Sequence, residues 1–303
     1  MDSPRRLDPK LDLVFKLLLT RRAELLVHML EGVLGRPIRT VTVKNPEIPG
    51  VLASDKGIVL DLRVVLDDGT RVDLEMQIRL TPALTSRLVY YGARDYVDQL
   101  DRGDAYERLA PTAVIAWLAE PLFPTLERLH AIFELRERHT QLLFGDQLTI
   151  HVLQLCSSST STCATGYDAR VERWARFLMH FDDDAEIDRL AAEDPMMHVA
   201  KQTLEELSQD PDTRRQARER EDAIKLYRID LATVRAEGRT AGRTEGKAEL
   251  LLRQLGKRFG PLSARTRALV EGAAVERLDA WADRVVIEPT LERVLELGAA
   301  DMA

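Results

Sequence analysis

At 303 residues the chain has room for one large domain or two of ordinary size, and it can bury a substantial core. Its 43 basic and 50 acidic residues leave a net charge of -7, which excludes a global positive field drawing it to nucleic acid or anionic lipid; any such contact must be local. No apolar run approaches the roughly 20 residues that span a bilayer, and the opening "MDSPRRLDPKLD" has no apolar signal core, so the expectation is a soluble cytoplasmic protein with no membrane association.

Apolar residues at helical spacing from Leu13 to Val33 predict one or two helices ending at the "GRP" of residues 35–37, and "RTVTV" follows as a short strand. "GIVLDLRVVL" and "TRVDLEMQIR" alternate apolar and polar around "DDG", the pattern of a half-buried hairpin. "TPALTSRLVYYGARDYVDQLDRG" predicts a helix of about five turns, with Thr81 as N-cap, Pro82 at its first position and Gly103 at its end. "PTAVIAWLA" is a near-continuous apolar strand of the kind buried on both faces, and "AIFELR" and "TIHVLQL" are further strand-like stretches. The order defines an α/β core of about 150 residues.

Cys156 and Cys163 bracket "CSSSTSTC", which matches no zinc signature and reads first as two free thiols in a loop and second as a disulfide. Beyond it the pattern is helical. Gly238, Gly242 and Gly246 in "EGRTAGRTEGKAE" share one helical stripe, and an interior glycine costs a helix about 1 kcal/mol relative to alanine. The tract therefore reads first as a linker, and second as a helix whose glycine face admits another backbone. "GRTEGK" lacks the spacing of a phosphate loop. The tail predicts a small bundle of three or four helices. Three regions are expected: 1–155 as the α/β domain, 156–235 as a helical connector, and 236–303 as the glycine tract with a small helical domain.

The hairpin fixes its own register. Leu62, Val64 and Leu66 on one strand and Val72, Leu74 and Met76 on the other must share a face, and a one-residue slip would separate them. Only a three-residue loop, Asp67-Asp68-Gly69, keeps them together, with Gly69 in the left-handed position. Arg63 then opposes Asp73 as an ordinary cross-strand ion pair, worth well under ~1 kcal/mol if exposed. Asp61 opposes Glu75, and like charges directly opposite are destabilising. A divalent metal, a lysine or arginine from elsewhere, or solvent between splayed side chains would each answer the conflict.

An aspartate on one strand and Glu-x-Gln on the next, followed by a helix and a strand, resembles the PD-(D/E)xK nuclease superfamily and, within it, the recombination-promoting nuclease and transposase family. The similar stretches, "LDPKLDLVFKLLL", "DKGIVLDLRVVLDDGTRVDLEMQ", "SRLVYYGARDYVDQLDRGDAYERLAPTAVIAWLA" and "AIFELRER" to "TIHVLQL", cover about residues 7–155 in the family's order. The tail is similar to a helical domain that often follows such nuclease-like domains. The resemblance implies a restriction-endonuclease-like core, with Asp61, Glu75 and Gln77 as catalytic residues and Asp61 and Glu75 as metal ligands. Asp12 and Lys16 match the family's amino-terminal pattern, and Arg87, Tyr91 and Gln99 match positions on the helix after the hairpin. Leu60 stands in place of the superfamily's proline and Gln77 in place of its lysine, and "CSSSTSTC" replaces the charged continuation expected after "TIHVLQL".

What the resemblance implies is a magnesium-dependent DNA endonuclease, with manganese as a substitute ion, that promotes recombination or acts on mobile or foreign DNA. Magnesium takes one or two carboxylates and completes its shell with phosphate and water. Gln77 can orient water or donate to a phosphate oxygen but lacks a lysine's charge. Lys16, Lys56 or Arg87 could supply that charge and contact substrate, with Tyr91 and Gln99 beside them. Asp12 would support the site or cap the first helix. The alternative is an inactive nuclease-like scaffold that works through protein association, with the C-terminal helical region making a homo-oligomer.

Overall fold

A computed structural model describes residues 5–44, 62–155 and 165–296, and the chain divides into two compact units, Met1–Asp222 and Ala223–Ala303.

In the first unit α1 (Asp12–Arg21) and α2 (Ala23–Leu34) bury Leu18, Leu25, Met29 and Leu30 completely. Helix α2 ends where Gly35 turns left-handed at φ 65° and donates its N–H to the Glu31 carbonyl, the stop that the sequence places there. Strands β1 (Val41–Val43), β2 (Leu62–Leu66), β3 (Arg71–Gln77), β4 (Thr112–Leu118), β5 (His130–Glu134) and β6 (Leu148–Gln154) form one sheet in the order β1-β2-β3-β4-β6-β5. The first three are antiparallel; β3, β4 and β6 run parallel; β5 returns antiparallel at the edge.

The parallel step from β3 to β4 is made through helix α3 (Leu84–Val97), as parallel strands require a crossover. Leu84 and Leu88 of α3 pack on Val114, Ala116, Leu118 and Val152, covering one face of the sheet. Helix α1 packs on β3, and α4 (Gly166–Met179) and α6 (Pro195–Gln209) pack on α2 and α1, with α5 (Asp184–Glu193) against α6. With helices against it, β4 is buried at every position, as its apolar run predicts.

The hairpin register is the expected one: Leu62 opposes Leu74, Arg63 opposes Asp73 and Val64 opposes Val72. Gly69 turns at φ 87°, and the Leu66 N–H donates to the Thr70 carbonyl at 2.9 Å, closing the three-residue loop. The half-buried reading of the hairpin does not hold for β3. Asp73 and Glu75 are 0 % exposed, because α3 lies over the face expected to meet water.

Two boundaries also move. Helix α3 begins at Leu84 with Ala83 as N-cap, Thr81 supplying only its carbonyl to the Leu84 N–H, and it ends at Val97, six residues before Gly103. The Asp104 carboxylate accepts from the Asp101 N–H at 3.0 Å, and Gly103 at φ 100° belongs to that turn.

In the second unit the glycine tract is helical, not a linker. It lies within α7 (Pro211–Phe259), because a helix already nucleated on packed turns propagates at the small cost of each glycine. The end of α7 packs through Ala248, Leu251 and Leu255 on α8 (Ala264–Glu271), α9 (Val275–Ile287) and α10 (Leu291–Leu295) around the buried Trp281, the small bundle expected of the tail. Among the described residues no helix is long and apolar enough to cross a membrane.

Candidate active site

Alternation along β3 aims Asp73, Glu75 and Gln77 at the α3 face. Leu74 and Met76 point to the opposite face and are buried there. In the parallel register Asp73 neighbours Val114, Glu75 neighbours Ala116 and Gln77 neighbours Leu118, so the two acids rise from the middle of the sheet beside small and apolar side chains. Two residues of strand rise separate them by about 7 Å.

Cations reach these acids from the flanking elements. The Arg87 guanidinium of α3 stands 3.4 Å from Glu75 Oε2, and the Gln77 amide donates to the same oxygen at 3.2 Å. Tyr91, one helical turn after Arg87, has its ring 5.8 Å below the guanidinium and braces it. Arg63 of β2 stands 3.3 Å from Asp73. The value expected for an exposed pair does not apply here, because its acid is wholly buried. Removing Arg63 would take one charge partner from a buried carboxylate.

Glu75, Gln77, Arg87 and Tyr91 therefore come together. Lys16 is buried at 2 % exposure on α1, the helix that packs on β3. Gln99 lies elsewhere: its amide donates to the Ala110 carbonyl at 2.9 Å and to Thr112 Oγ1 at 3.2 Å, and its oxygen accepts from the Ala110 N–H, which pins the loop before β4 at the far end of that strand from Glu75. Asp12 accepts from the Leu13 N–H at 2.8 Å and pairs with Arg220 Nε at 3.0 Å, holding the start of α1 to α7. Asp61 and Lys56, and with them the Asp61–Glu75 pairing, lie outside the described residues, as does the "CSSSTSTC" stretch. Among the described residues no group of three or more His, Cys, Asp or Glu side chains is arranged to hold a metal ion.

Sequence reasoning missed two features. Asp73 as a second buried acid was legible in part, since it shares a face with Glu75 and its neighbour β4 is apolar throughout. The other is a pair of histidines: His130 Nε2 and His151 Nδ1 lie 2.9 Å apart with stacked rings at the β5–β6 step. Burial pushes His130 down to about 4 and His151, with His130 beside it, down to about 3. No motif spacing marks them, because their contact is made by sheet register.

A six-stranded mixed sheet carrying an acid and an amide two residues apart on a central strand, with a helix crossing to the next strand, is a PD-(D/E)XK nuclease fold. The chain belongs to the PD-(D/E)XK nuclease family transposases, whose family model matches residues 9–232. No curated protein and no solved structure matches it.

Proposed function

We propose that the protein is a divalent-metal-dependent DNA endonuclease acting in the cytoplasm, with Glu75, Asp61 and Gln77 as its catalytic residues. The observation that carries this reading is the wholly buried Glu75, held by Gln77 and Arg87 on a central strand of a nuclease-family fold. Glu75 and Asp61 offer the carboxylate oxygens that magnesium or manganese takes, and residues 1–155 form the catalytic part. The bound ion would supply Lewis acidity and a water made nucleophilic at neutral pH. Gln77, two residues along the strand, orients that water or donates to a phosphate oxygen. Arg87 sits with a quarter of its side chain exposed, so it can leave the carboxylate for a non-bridging phosphate oxygen while Tyr91 guides its plane. Lys56 adds positive charge for the DNA, whereas Lys16, buried on α1, does not reach it; cleavage of this kind would serve recombination or the handling of mobile DNA.

Supercoiled plasmid incubated with purified protein and magnesium tests the reading. Wild type should nick it, EDTA should abolish nicking, and Asp61→Ala and Glu75→Gln should each lower the rate by at least about a hundredfold, the order of loss when an electrostatic group at the reacting centre is removed. Equal nicking by wild type and Asp61→Ala would refute it.

A second reading is an inactive scaffold that assembles through α7. It is favoured by Arg87, which already neutralises Glu75, and by Leu226, Ile229 and Val234, all 62 % exposed on α7. It predicts a concentration-dependent homo-oligomer that Ile229→Glu disperses, with no metal-dependent cleavage.

A further inference from the structure

We propose that α7 carries a second, cleavage-independent site, a basic ridge of Arg239, Arg243 and Lys247 that docks the phosphodiester backbone of nucleic acid without reading its bases. The three cations recur every fourth residue, which places them along one side of the helix at a rise of about 6 Å each. That is of the order of the spacing of successive phosphates along one strand. Arg239 and Arg243 are exposed, and among the described residues neither makes an ion pair. Lys247 is matched to Asp279 of α9, the acid that shares a cleft of about 310 Å³ with the ridge.

The glycines gain a role here. Each cation directly follows one of them, so Gly238, Gly242 and Gly246 form a flank rotated about 100° from the ridge. A Cβ built at any of the three would meet nothing within 4 Å. The cations therefore stand at the rim of an open trough in which a polyanion can approach the helix backbone.

The hydroxyls beside them do not compete for bases. Thr240 and Thr244 each donate to the carbonyl four residues back, at 3.0 Å. That leaves the guanidinium groups as the exposed donors, and contacts of this type position a backbone without specifying sequence. The second unit is net basic while the whole chain carries -7, so its overall charge favours a polyanion where that of the rest of the chain does not.

The test uses the full chain with Glu75→Gln, in EDTA, titrated with a fluorescein-labelled 20-nucleotide single strand and its duplex over a range of salt. Arg239→Ala/Arg243→Ala should weaken binding at least tenfold at about 0.1 M salt and reduce the slope of log K against log salt by about 1.4 on the single strand and 1.8 on the duplex, the loss of two phosphate contacts. Arg239→Lys/Arg243→Lys should keep both affinity and slope. An unchanged slope in the alanine variant overturns the proposal, as does an equal loss in the lysine variant. Equal arginine-dependent affinity for anionic phosphatidylserine vesicles or polyglutamate also overturns it. Plasmid nicking by the alanine pair in an otherwise wild-type chain is read separately, so failure of the ridge and failure of the endonuclease reading give different results.

Discussion

Gly92 sets how closely α3 approaches the sheet, and hence how Arg87, five residues earlier, meets Glu75. A Cβ at position 92 would lie 2.7 Å from Val114 Cγ2 and 2.8 Å from Leu148 Cδ1, where carbon atoms prefer roughly 3.5 to 4.0 Å. The Leu148 terminus can rotate away. Val114 cannot: it is β-branched, fully buried and on a central strand. Gly92→Ala gains about 1 kcal/mol of helix propensity, while overpacking of this kind costs about 1 to 3 kcal/mol. The balance is a loss of up to about 2 kcal/mol, and Gly92→Val, with two more methyl groups against Val114, should lose about 3 kcal/mol or more. Urea unfolding followed by circular dichroism and tryptophan fluorescence reads this as a lower midpoint at constant slope. Nicking measured well below the transition should fall further than the unfolded fraction explains, because α3 is displaced with Arg87 on it. A valine variant as stable as wild type would refute the packing argument, and normal nicking by a destabilised one would refute the link to Arg87.

Arg87→Met should destabilise the first unit by about 2 to 4 kcal/mol, toward the lower end because Arg87 keeps contact with water, and added magnesium should raise the melting temperature of this variant more than that of wild type; equal magnesium shifts would count against a cation site at Glu75. Gln99→Ala removes three hydrogen bonds to the loop before β4 and should cost about 1 to 3 kcal/mol while leaving the nicking rate of the folded fraction unchanged, as thermal melts beside plasmid assays will read. Stability should also fall with acid. His130 and His151 stay neutral when folded, with Asp168 only partly offsetting the burial of His130, but bind protons near pH 6.5 when unfolded. Their contribution is therefore full above about pH 6.5 and is lost as pH falls toward about 4 and 3. By pH 5 each should have lost roughly 2 kcal/mol, a decline that His151→Phe should flatten in urea titrations.

Much of the fold was legible because it rests on periodicity. Leu62, Val64, Val72 and Leu74 could share a face only with Gly69 at the third loop position, and the register follows from that alone. The helix stop at Gly35 and the all-buried β4 were legible for the same local reasons. The burial of Asp73 and Glu75 was legible only in part, from the apolar run of β4 beside them, since it depends on α3 lying over a face whose own residues are polar. The roles of Gln99, Asp12 and the histidine pair were also out of reach, because each is fixed by a partner distant in sequence: Ala110, Arg220 and the β5–β6 register. The glycine tract misled for an energetic reason. Its local helix propensity is poor, yet packed turns further along α7 supply the nucleus.

The acids and the cations of the site differ in one physical respect that bears on its chemistry. Asp73 and Glu75 are at zero exposure on a central strand, fixed by the sheet, and burying a carboxylate costs several kcal/mol before any partner is counted. An apolar pair beside Val114 and Ala116 would serve stability better. Arg87 and Arg63, by contrast, reach in from a helix and from the neighbouring strand with 25 % and 40 % of their side chains still exposed. The negative charge is buried on the sheet and the positive charge keeps contact with water. A site built only for folding has no need of that asymmetry, whereas the endonuclease proposed above would use it to trade a resident guanidinium for an incoming cation or phosphate.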